Sequence, residues 1–237
     1  MPGLKHERAC GAAPVAGVDE AGRGPLAGPV VAAAVILPER HIPRGLDDSK
    51  KLSASERARL HALLLERACV GVGVVEADEI DRLNIYWATM RAMELAVANL
   101  DCPPGHVLVD GNRLPRWNWQ ATAIVGGDAL SLSIAAASIV AKHHRDALML
   151  AHAEAHPEYG WASNKGYGCP QHLQALERHG PTPLHRRSFA PVAKCFADES
   201  FAPHHEHLGL EPEAAATCGE RTRSVPPVVN SIVNRAS

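Results

Sequence analysis

Two adjacent carboxylates, Asp19 and Glu20, follow an apolar segment and precede a glycine-rich turn. Neighbouring like charges repel each other, so this pair is costly to bring together unless a divalent cation compensates it. The following Gly22-Arg23-Gly24 lets bare backbone approach a ligand closely and places a cation beside it. Carboxylates suited to a metal, next to glycine and arginine suited to a phosphate, indicate phosphodiester chemistry.

Two further aspartates occupy positions that are typical of catalytic carboxylates. Asp110 ends a short apolar segment and precedes a glycine, and Asp128 follows two glycines just before a long helical pattern. Taken singly, Asp110 also fits a turn and Asp128 a helix N-cap. Taken with Asp19 and Glu20, they fall at the ends of elements that would line one edge of a sheet. Hard oxygen ligands favour Mg²⁺ or Mn²⁺, and two such ions can activate a water and stabilise the leaving oxygen.

The elements that must position these residues are predicted by the apolar pattern. Short apolar or β-branched runs predict strands at residues 15–19, 29–37, 70–75, 107–110 and 121–125. Helical spacing and capping residues predict helices from residue 53, from 78 to about 98, from 131 to about 156, and from 170 to 179. In the second of these helices, Trp87 and Met90 are expected to face inward. The order of elements predicts an α/β fold, a mixed sheet with helices on its faces.

The composition divides the chain into four parts. Residues 1–14 are expected to form a loose leader and residues 15–160 the α/β domain. Residues 161–197 are expected to form a small C-terminal helical extension. Residues 198–237 are rich in His, Glu, Pro and Ala without periodicity, which predicts a disordered tail.

Charge, cysteine usage and hydropathy restrict the function classes. The chain has no apolar run of 18 residues and no apolar segment near Met1, so we expect neither a membrane span nor a signal peptide. The six cysteines are scattered without a Cys-x-x-Cys pair, which favours free thiols in a reducing cytoplasm. The formal net charge of −2 is a mild argument against nucleic acid, although basic residues recur in local groups.

These motifs, with several others in the same order, resemble the ribonuclease HII family, the type 2 ribonucleases H. The matching segments are Asp19-Glu-Ala-Gly-Arg-Gly-Pro25, Asp48-Ser-Lys-Lys-Leu-Ser53, Val109-Asp-Gly111, Gly127-Asp128, Ala135-Ala-Ala-Ser-Ile-Val-Ala-Lys142 with Arg145-Asp146, Asn164-Lys-Gly-Tyr-Gly168 and His185-Arg-Arg-Ser-Phe-Ala-Pro191. The resemblance covers roughly residues 15–195, and the combination is very specific. It implies an RNase H-like fold with a mixed five-stranded sheet flanked by helices. Residues 15–160 would be the catalytic domain and residues 161–197 a substrate-contacting extension.

The resemblance implies a metal-dependent endonuclease that cuts the RNA strand of RNA–DNA hybrids. Its substrates would include duplex DNA with one embedded ribonucleotide, and its products a 3′-hydroxyl and a 5′-phosphate. Asp19, Glu20, Asp110 and Asp128 would be the catalytic carboxylates that bind two Mn²⁺ or Mg²⁺ ions. The family also implies a cytoplasmic monomer that removes RNA primers in DNA replication and ribonucleotides in DNA repair.

Other matched residues would contact the substrate. Gly22-Arg23-Gly24 would read the ribose 2′-hydroxyl, the group that distinguishes RNA from DNA. Tyr167 would stack on the sugar that follows the ribonucleotide. The expected phosphate contacts are Lys50, Lys51, Lys165, Arg186 and Arg187. In one departure from the family pattern, Gly126 stands where many relatives carry a lysine, a change expected to weaken one phosphate contact.

Three other functions would use the same acidic site or the same ligand. One is another RNase H-like nuclease, such as a DNA junction resolvase. The second is a non-catalytic hybrid-binding protein, and the third is a phosphotransferase. Cleavage of a duplex that carries one ribonucleotide separates these alternatives.

Overall fold

The computed structural model describes residues 1–197, and the tail predicted at 198–237 lies outside the described residues. The elements, in chain order, are α1 (Lys5–Ala9), β1 (Val15–Ala21), β2 (Val30–Ile36), α2 (Ala54–Arg67), β3 (Cys69–Val75), α3 (Ala77–Leu83), α4 (Ile85–Ala98), β4 (His106–Asp110), β5 (Ala121–Ile124), α5 (Leu132–Ala155), α6 (Trp161–Asn164), α7 (Pro170–His179) and α8 (Ala190–Ala197). Short 3₁₀ turns at Gly127–Ala129 and Pro157–Tyr159 flank α5. None of the helices in residues 1–197 is long and apolar enough to cross a membrane.

A mixed five-stranded sheet in the order β3-β2-β1-β4-β5 lies at the centre of the fold. β2 runs antiparallel to both β1 and β3, whereas β4 is parallel to β1 and to β5. In the parallel pair, Val18 of β1 is opposite Val109 of β4. The carboxyl ends of these two strands therefore lie at the same edge of the sheet. The predicted mixed sheet with flanking helices is confirmed.

Helices cover both faces of the sheet. On one face, Ala32 of β2 and Ala92 of α4 belong to the same buried apolar cluster. On the other face, Ala33 of β2 packs in a cluster with Leu60 of α2 and Ala136 of α5. Because β2 is buried on both faces, its sequence is a continuous apolar run without polar alternation.

Helix α5 lies very close to β1. The small residues Ala135–Ala137 are fully buried, and a side chain at Gly17 would overlap the backbone of Ser133. Glycine at this position therefore permits the close approach of the helix to the strand. This contact fixes α5 against the strand that carries Asp19 and Glu20.

The helix predicted over residues 78–98 is interrupted at Asn84. This residue has a φ of 66°, and its side chain accepts hydrogen bonds from the amides of Tyr86 and Trp87, at 3.0 and 3.2 Å. Its ψ of 162° lies outside the left-handed helical well, in a region that residues other than glycine rarely adopt, and the two cap hydrogen bonds hold it there without glycine or proline. Trp87, which was expected to face inward, is 39% exposed.

The leader predicted to be loose at residues 1–14 contains α1 and is attached to α5. Oε1 of Glu7 accepts hydrogen bonds from the hydroxyl groups of Ser131 and Ser133, at 2.6 and 2.8 Å, and from the amide of Ser133 at 2.9 Å. A carboxylate is favourable at the N-terminal end of a helix because the unpaired amide groups there carry partial positive charge. The segment is therefore part of the folded unit.

The predicted C-terminal helical extension consists of α6, α7 and α8. Trp161, Leu176 and Val192 share a buried cluster with Leu26 and Met149. The extension thus packs on the segment that follows β1 and on the second half of α5.

Candidate active site

Four carboxylates are brought together at the edge of the sheet where β1 and β4 end. Asp19 and Glu20 lie near the end of β1, Asp110 is the last residue of β4, and Asp128 lies in the 3₁₀ turn before α5. Oδ1 of Asp110 accepts a hydrogen bond from the amide of Gly127 at 2.7 Å, which joins β4 to this turn. Asp19 and Asp128 are buried, with 7% and 9% of their surface exposed.

The ionised form of Asp19 is disfavoured by its surroundings. Burial raises the pKa of Asp19 well above its usual range, and the charges of Glu20, Asp110 and Asp128 raise this pKa further. Oδ1 of Asp19 accepts a hydrogen bond from the amide of Glu20 at 2.7 Å, which acts in the opposite direction but does not outweigh burial. The site therefore holds negative charge that a bound cation would stabilise.

Two basic residues compensate the acidic cluster only in part. Nη1 of Arg23 lies 3.5 Å from Oε1 of Glu20, and Nζ of Lys50 lies 3.8 Å from Oδ2 of Asp128. Burial nevertheless raises the pKa of both carboxyl groups, and Asp48 adds a further negative charge near Asp128. Both basic side chains are largely exposed, which limits their effect on the cluster.

The side chains at this edge of the sheet do not by themselves form a complete cation site. Within residues 1–197, no three His, Cys, Asp or Glu side chains already form a group that could hold a metal ion. The donor set still fits Mg²⁺ or Mn²⁺, because these ions use few protein carboxylates and complete their shell with waters and phosphate oxygens. Burial and then repulsion raise the pKa of Asp19, which is a second argument for the fit, since a cation would offset both costs of ionising this carboxyl group.

The Gly22-Arg23-Gly24 turn is held from inside the protein by Arg186. The guanidinium group of this fully buried residue donates to the carbonyl oxygens of Gly22 at 2.6 Å, Arg23 at 3.0 Å and Gly28 at 3.0 Å. Arg186 was predicted to contact phosphate, and this is corrected: all three guanidinium nitrogens are engaged inside the fold. Burial lowers the pKa of Arg186 to about 9.

A second buried arginine connects the same segment to the loop that follows α6. Arg145 of α5 donates to the carbonyl oxygens of Pro29 at 3.0 Å, Lys165 at 3.1 Å and Ala27 at 3.3 Å. It therefore joins three parts of the site: the long helix, the segment after the glycine-rich turn, and the loop that carries Tyr167.

Tyr167 lies beside the glycine-rich turn and is 48% exposed. A Cβ atom added at Gly24 would lie 3.5 Å from Cε1 of Tyr167. The two segments are also joined through the backbone, because the amide of Leu26 donates to the carbonyl of Gly166 at 2.8 Å. The structure thus places two of the predicted substrate contacts side by side.

Two buried histidines, His172 and His185, support the Tyr167 loop. The amide of Thr182 donates to Nδ1 of His185 at 2.9 Å, so the proton of this neutral ring is on Nε2. Nε2 of His172, 3.0 Å away, then accepts from His185 and also from the indole N–H of Trp161 at 3.1 Å. His172 must therefore carry its proton on Nδ1, which donates to the carbonyl of Tyr167 at 2.9 Å. Burial lowers the pKa of both histidines, to about 3 for His185, which keeps the pair neutral.

The two lysines after Asp48 lie at the border of the acidic cluster. Lys50 is close to Asp128, as described above, and Nζ of Lys51 lies 3.5 Å from Oδ1 of Asp47. The loop is attached to α5 because the amide of Ser49 donates to the hydroxyl of Ser138 at 3.1 Å. Both lysines are exposed.

The remaining predicted phosphate contacts, Lys165 and Arg187, lie farther along the extension. Nζ of Lys165 donates to the carbonyl of Ala162. The exposed guanidinium group of Arg187 lies over the ring of Phe196, with Cζ 4.9 Å from the ring centroid. The backbone of Arg187 is fixed by Asp81, whose carboxylate accepts its amide hydrogen bond at 2.8 Å.

Known proteins resemble this chain in sequence and in fold. The family model described as Ribonuclease HII matches residues 16–192. A Ribonuclease HII of Rhizorhabdus wittichii is 64% identical over 181 residues, which is 76% of this chain and 90% of the relative. The crystal structure of the ribonuclease H2 from Pyrococcus horikoshii is similar at a TM-score of 0.66 and 28% identity, covering 76% of this chain and 96% of the other. Bst-RNase HIII in complex with Mn²⁺ has a TM-score of 0.59 at 20% identity, over 83% of this chain and 73% of the other, and shows the shared fold.

Proposed function

The chain belongs to the ribonuclease HII family, and from this premise we propose that Asp19, Glu20, Asp110 and Asp128 carry its catalytic activity. The chain is an RNase H-type endonuclease that acts on RNA–DNA hybrids. The observation that best supports the assignment of residues is the convergence of these carboxylates at one edge of the sheet. Burial raises the pKa of Asp19, and the charges of the other three carboxylates raise it further, as expected for groups that share a cation.

The four carboxylates are the proposed ligands of the divalent cations on which the family depends. When bound, Mg²⁺ or Mn²⁺ would polarise the scissile phosphate and lower the pKa of an attacking water. The protein's own contribution is to hold the carboxylates at the ends of β1 and β4 and in the turn before α5. Lys50, beside Asp128, is available to a neighbouring phosphate. Both ions remain candidates, and the Mn²⁺ complex of Bst-RNase HIII supports manganese among proteins with this fold.

Recognition of the ribose is assigned to the Gly22-Arg23-Gly24 turn together with Tyr167. Arg186 holds the carbonyl groups of this turn, so its backbone is fixed before the substrate arrives. Glycine lets a sugar approach the main chain closely, and fixed backbone groups can hydrogen-bond the 2′-hydroxyl. The exposed ring of Tyr167 offers a surface for the next sugar.

We therefore propose two kinds of substrate, RNA–DNA hybrids and duplex DNA with a single embedded ribonucleotide. Cleavage beside the ribonucleotide would leave a 3′-hydroxyl and a 5′-phosphate. We further propose a monomer that acts in the cytoplasm, in DNA repair and replication. The free thiols of Cys10, Cys69, Cys102 and Cys169 are compatible with that reducing compartment.

A cleavage assay with matched duplexes tests this function. The protein is incubated with Mg²⁺ or Mn²⁺ and a duplex that carries one ribonucleotide, a duplex of DNA alone, or a uniform RNA–DNA hybrid. We expect a cut next to the ribonucleotide and no cut in DNA alone. Cutting of DNA would favour a resolvase, binding without cutting in either metal would favour a hybrid-binding protein, and phosphate transfer to a nucleoside acceptor would favour a phosphotransferase.

A further inference from the structure

An open cleft of about 730 Å³ lies next to the acidic cluster, outside the residues assigned above. Its walls are the first turn of α4 and the loop that follows β4. Tyr86 and Trp87 come from the helix, and Arg113 and Arg116 come from the loop. Two arginines and two aromatic residues are the side chains expected at a surface that binds nucleic acid.

The cleft adjoins the candidate active site through lining residues that the two cavities share. A narrower cavity of about 120 Å³ is lined by Glu20 and Asp110, and also by Tyr86 and Arg113 of the larger cleft. A strand bound at the carboxylates could therefore extend into the larger cleft without leaving the protein surface.

The two arginines of the cleft are available to an anion. Arg113 and Arg116 are both exposed, and neither forms an ion pair or a hydrogen bond with another residue of the described chain. The guanidinium group of Arg116 lies over the ring of Trp87, with Cζ 4.8 Å from the ring centroid. A cation–π contact of this kind fixes the guanidinium plane while its N–H edges remain free to bind phosphate.

The position of Trp87 is itself fixed by the helix break. Asn84 caps α4 by accepting the amide hydrogen bonds of Tyr86 and Trp87. The rings of these two residues then pack edge to face, with centroids 4.9 Å apart at an angle of 78°. The tryptophan is 39% exposed in spite of its size, and the guanidinium group of Arg116 stacks on its ring.

We infer that this cleft is a second phosphate-binding site, in which Trp87 orients Arg116 toward a backbone phosphate outside the cleavage position. Arg113 lies between this phosphate and the carboxylates. The ligand is the sugar–phosphate backbone of the substrate duplex, because the cleft is open and leads directly from the acidic cluster. The inference rests on the proposed function, since both sites bind the same nucleic acid.

Binding measurements with single variants test the role of the two side chains. Affinity for a duplex with one ribonucleotide is measured in EDTA, where metal-dependent cleavage does not proceed, over a range of salt concentrations. We expect Arg116→Ala to weaken binding roughly tenfold and to reduce the salt dependence by about one phosphate contact. Trp87→Ala should weaken binding less, and Trp87→Phe should restore most of the affinity because it retains a ring under the guanidinium group.

The matched control is Arg91→Ala. Arg91 is an exposed arginine of α4, the helix that contains Trp87. It pairs with Glu94 and does not line the cleft. If Arg116→Ala and Arg91→Ala have equal effects on affinity and salt dependence, the second site does not exist. Because Arg116 is exposed, neither variant should change the melting temperature, and this is checked in parallel.

Substrates with one neutral phosphate locate the contact. Single methylphosphonates are placed at successive positions along the duplex and compared between the wild-type protein and Arg116→Ala. We expect one position, away from the cleavage site, at which the methylphosphonate weakens binding by the wild-type protein. At that position the methylphosphonate should not weaken binding by Arg116→Ala any further. Equal losses in both proteins at every position would overturn the inference. Cleavage by the wild-type protein in the same preparation tests the proposed function separately, since binding is read without metal.

Discussion

At the scale of single residues, the site depends on charged groups that the fold buries at a cost. Asp19 is buried beside three other carboxylates, and Arg186 is buried among backbone carbonyl groups without a carboxylate partner. Neither position is explained by stability, because burial of a charge is unfavourable unless it is compensated. Under the proposed function, Asp19 supplies negative charge for a cation, and Arg186 holds the glycine-rich turn beside it.

Asp19→Asn should abolish cleavage and stabilise the metal-free protein at neutral pH. Asparagine keeps the shape of the side chain but removes a charge that burial and three neighbouring carboxylates disfavour. Each unit by which the pKa is raised corresponds to about 1.4 kcal/mol of unfolding free energy recovered at a pH where the carboxylate is ionised. Turnover should fall at least roughly 100-fold, since a direct ligand is lost.

Denaturation in EDTA at pH 7 measures the stability of this variant, and cleavage of the single-ribonucleotide duplex measures its activity. Asp47→Asn is the control, because a hydrogen bond from the amide of Asp48 lowers the pKa of Asp47, and its substitution should not stabilise the protein. Near-normal turnover by Asp19→Asn would show that the catalytic carboxylates are wrongly assigned.

Substitution of His172 by asparagine or by glutamine distinguishes the roles of its two ring nitrogens. Asparagine can replace the Nδ1 donor to the carbonyl of Tyr167, whereas glutamine reaches the Nε2 side and loses that donor. Both variants should be less stable, because each leaves a buried polar group unsatisfied. Only His172→Gln should reduce the preference for a ribonucleotide–DNA junction over a uniform hybrid, roughly tenfold, as Tyr167→Ala should.

The ratio of kcat/KM on the single-ribonucleotide duplex to kcat/KM on the uniform hybrid gives the readout for His172. A merely structural histidine would lower both values together and leave their ratio unchanged. An equal change of the ratio in the two variants would also argue against a role in positioning Tyr167.

At the scale of elements, the strands and long helices could be predicted because their apolar periodicity is strong. The break at Asn84 could not, since asparagine is ordinary in a helix and its positive φ is decided by the fold. Arg145 carried a usable signal: it is four residues from both Ala141 and Met149, which are buried, so the helical period turns it inward. Arg186 carried none, because its partners are backbone carbonyl groups whose position depends on the tertiary structure.

Arg186→Lys should disturb the glycine-rich turn although it keeps the charge. Lysine presents one nitrogen to a site where three guanidinium nitrogens bind three carbonyl groups. We expect a loss of about 2–4 kcal/mol in unfolding free energy and a weaker discrimination between ribose and deoxyribose. Chemical denaturation and cleavage of matched duplexes measure the two effects, with Arg187→Lys as the exposed control. Unchanged discrimination would show that the turn does not depend on Arg186.

At the scale of the whole molecule, two groups of titrating side chains act on stability in opposite directions. Buried His185 and half-buried His61 have lowered pKa values, about 3 and about 4. The carboxyl groups of buried Asp19 and Asp128 and of half-buried Glu20 have raised pKa values. At the histidines the unfolded state binds more protons than the folded state, so their contribution to stability rises with pH. At the carboxyl groups the folded state binds more protons, so their contribution falls as the pH rises.

The histidine contribution should make the metal-free protein more stable as the pH rises from about 3 to about 6.5. From the folded pKa of each histidine, about 3 for His185 and about 4 for His61, up to about 6.5, the unfolded chain is protonated at that residue while the folded protein is not. Melting temperatures in EDTA between pH 4 and pH 7 measure this, and His61→Gln should flatten the curve. His61 is a suitable probe because it stacks on His143, away from the carboxylates, with ring centroids 4.1 Å apart. An unchanged slope would contradict its burial in neutral form.

The carboxyl contribution should make stabilisation by Mg²⁺ depend on pH. More of these carboxyl groups are ionised at pH 8 than at pH 5, so saturating Mg²⁺ should raise the melting temperature at pH 8 by roughly 5–10 °C. At pH 5 the raised pKa values leave more of these groups protonated, and the shift should be smaller. Thermal scans with and without Mg²⁺ measure this; equal shifts in wild-type protein and Asp19→Asn would place the ion elsewhere.

The hydrogen bonds between Glu7 and the start of α5 also affect the order of events during synthesis. The partners of Glu7 lie 124 and 126 residues further along the chain. At a translation rate of about 5–20 residues per second, the glutamate emerges roughly 6–25 s before the serines that it caps. This first turn belongs to α5, the helix that packs against β1 and supports the site, so the cap of this helix depends on a segment that is synthesised much earlier. If the segment around Glu7 folded slowly or formed other contacts first, the cap of α5 would form late. Maturation of the enzyme would then be delayed.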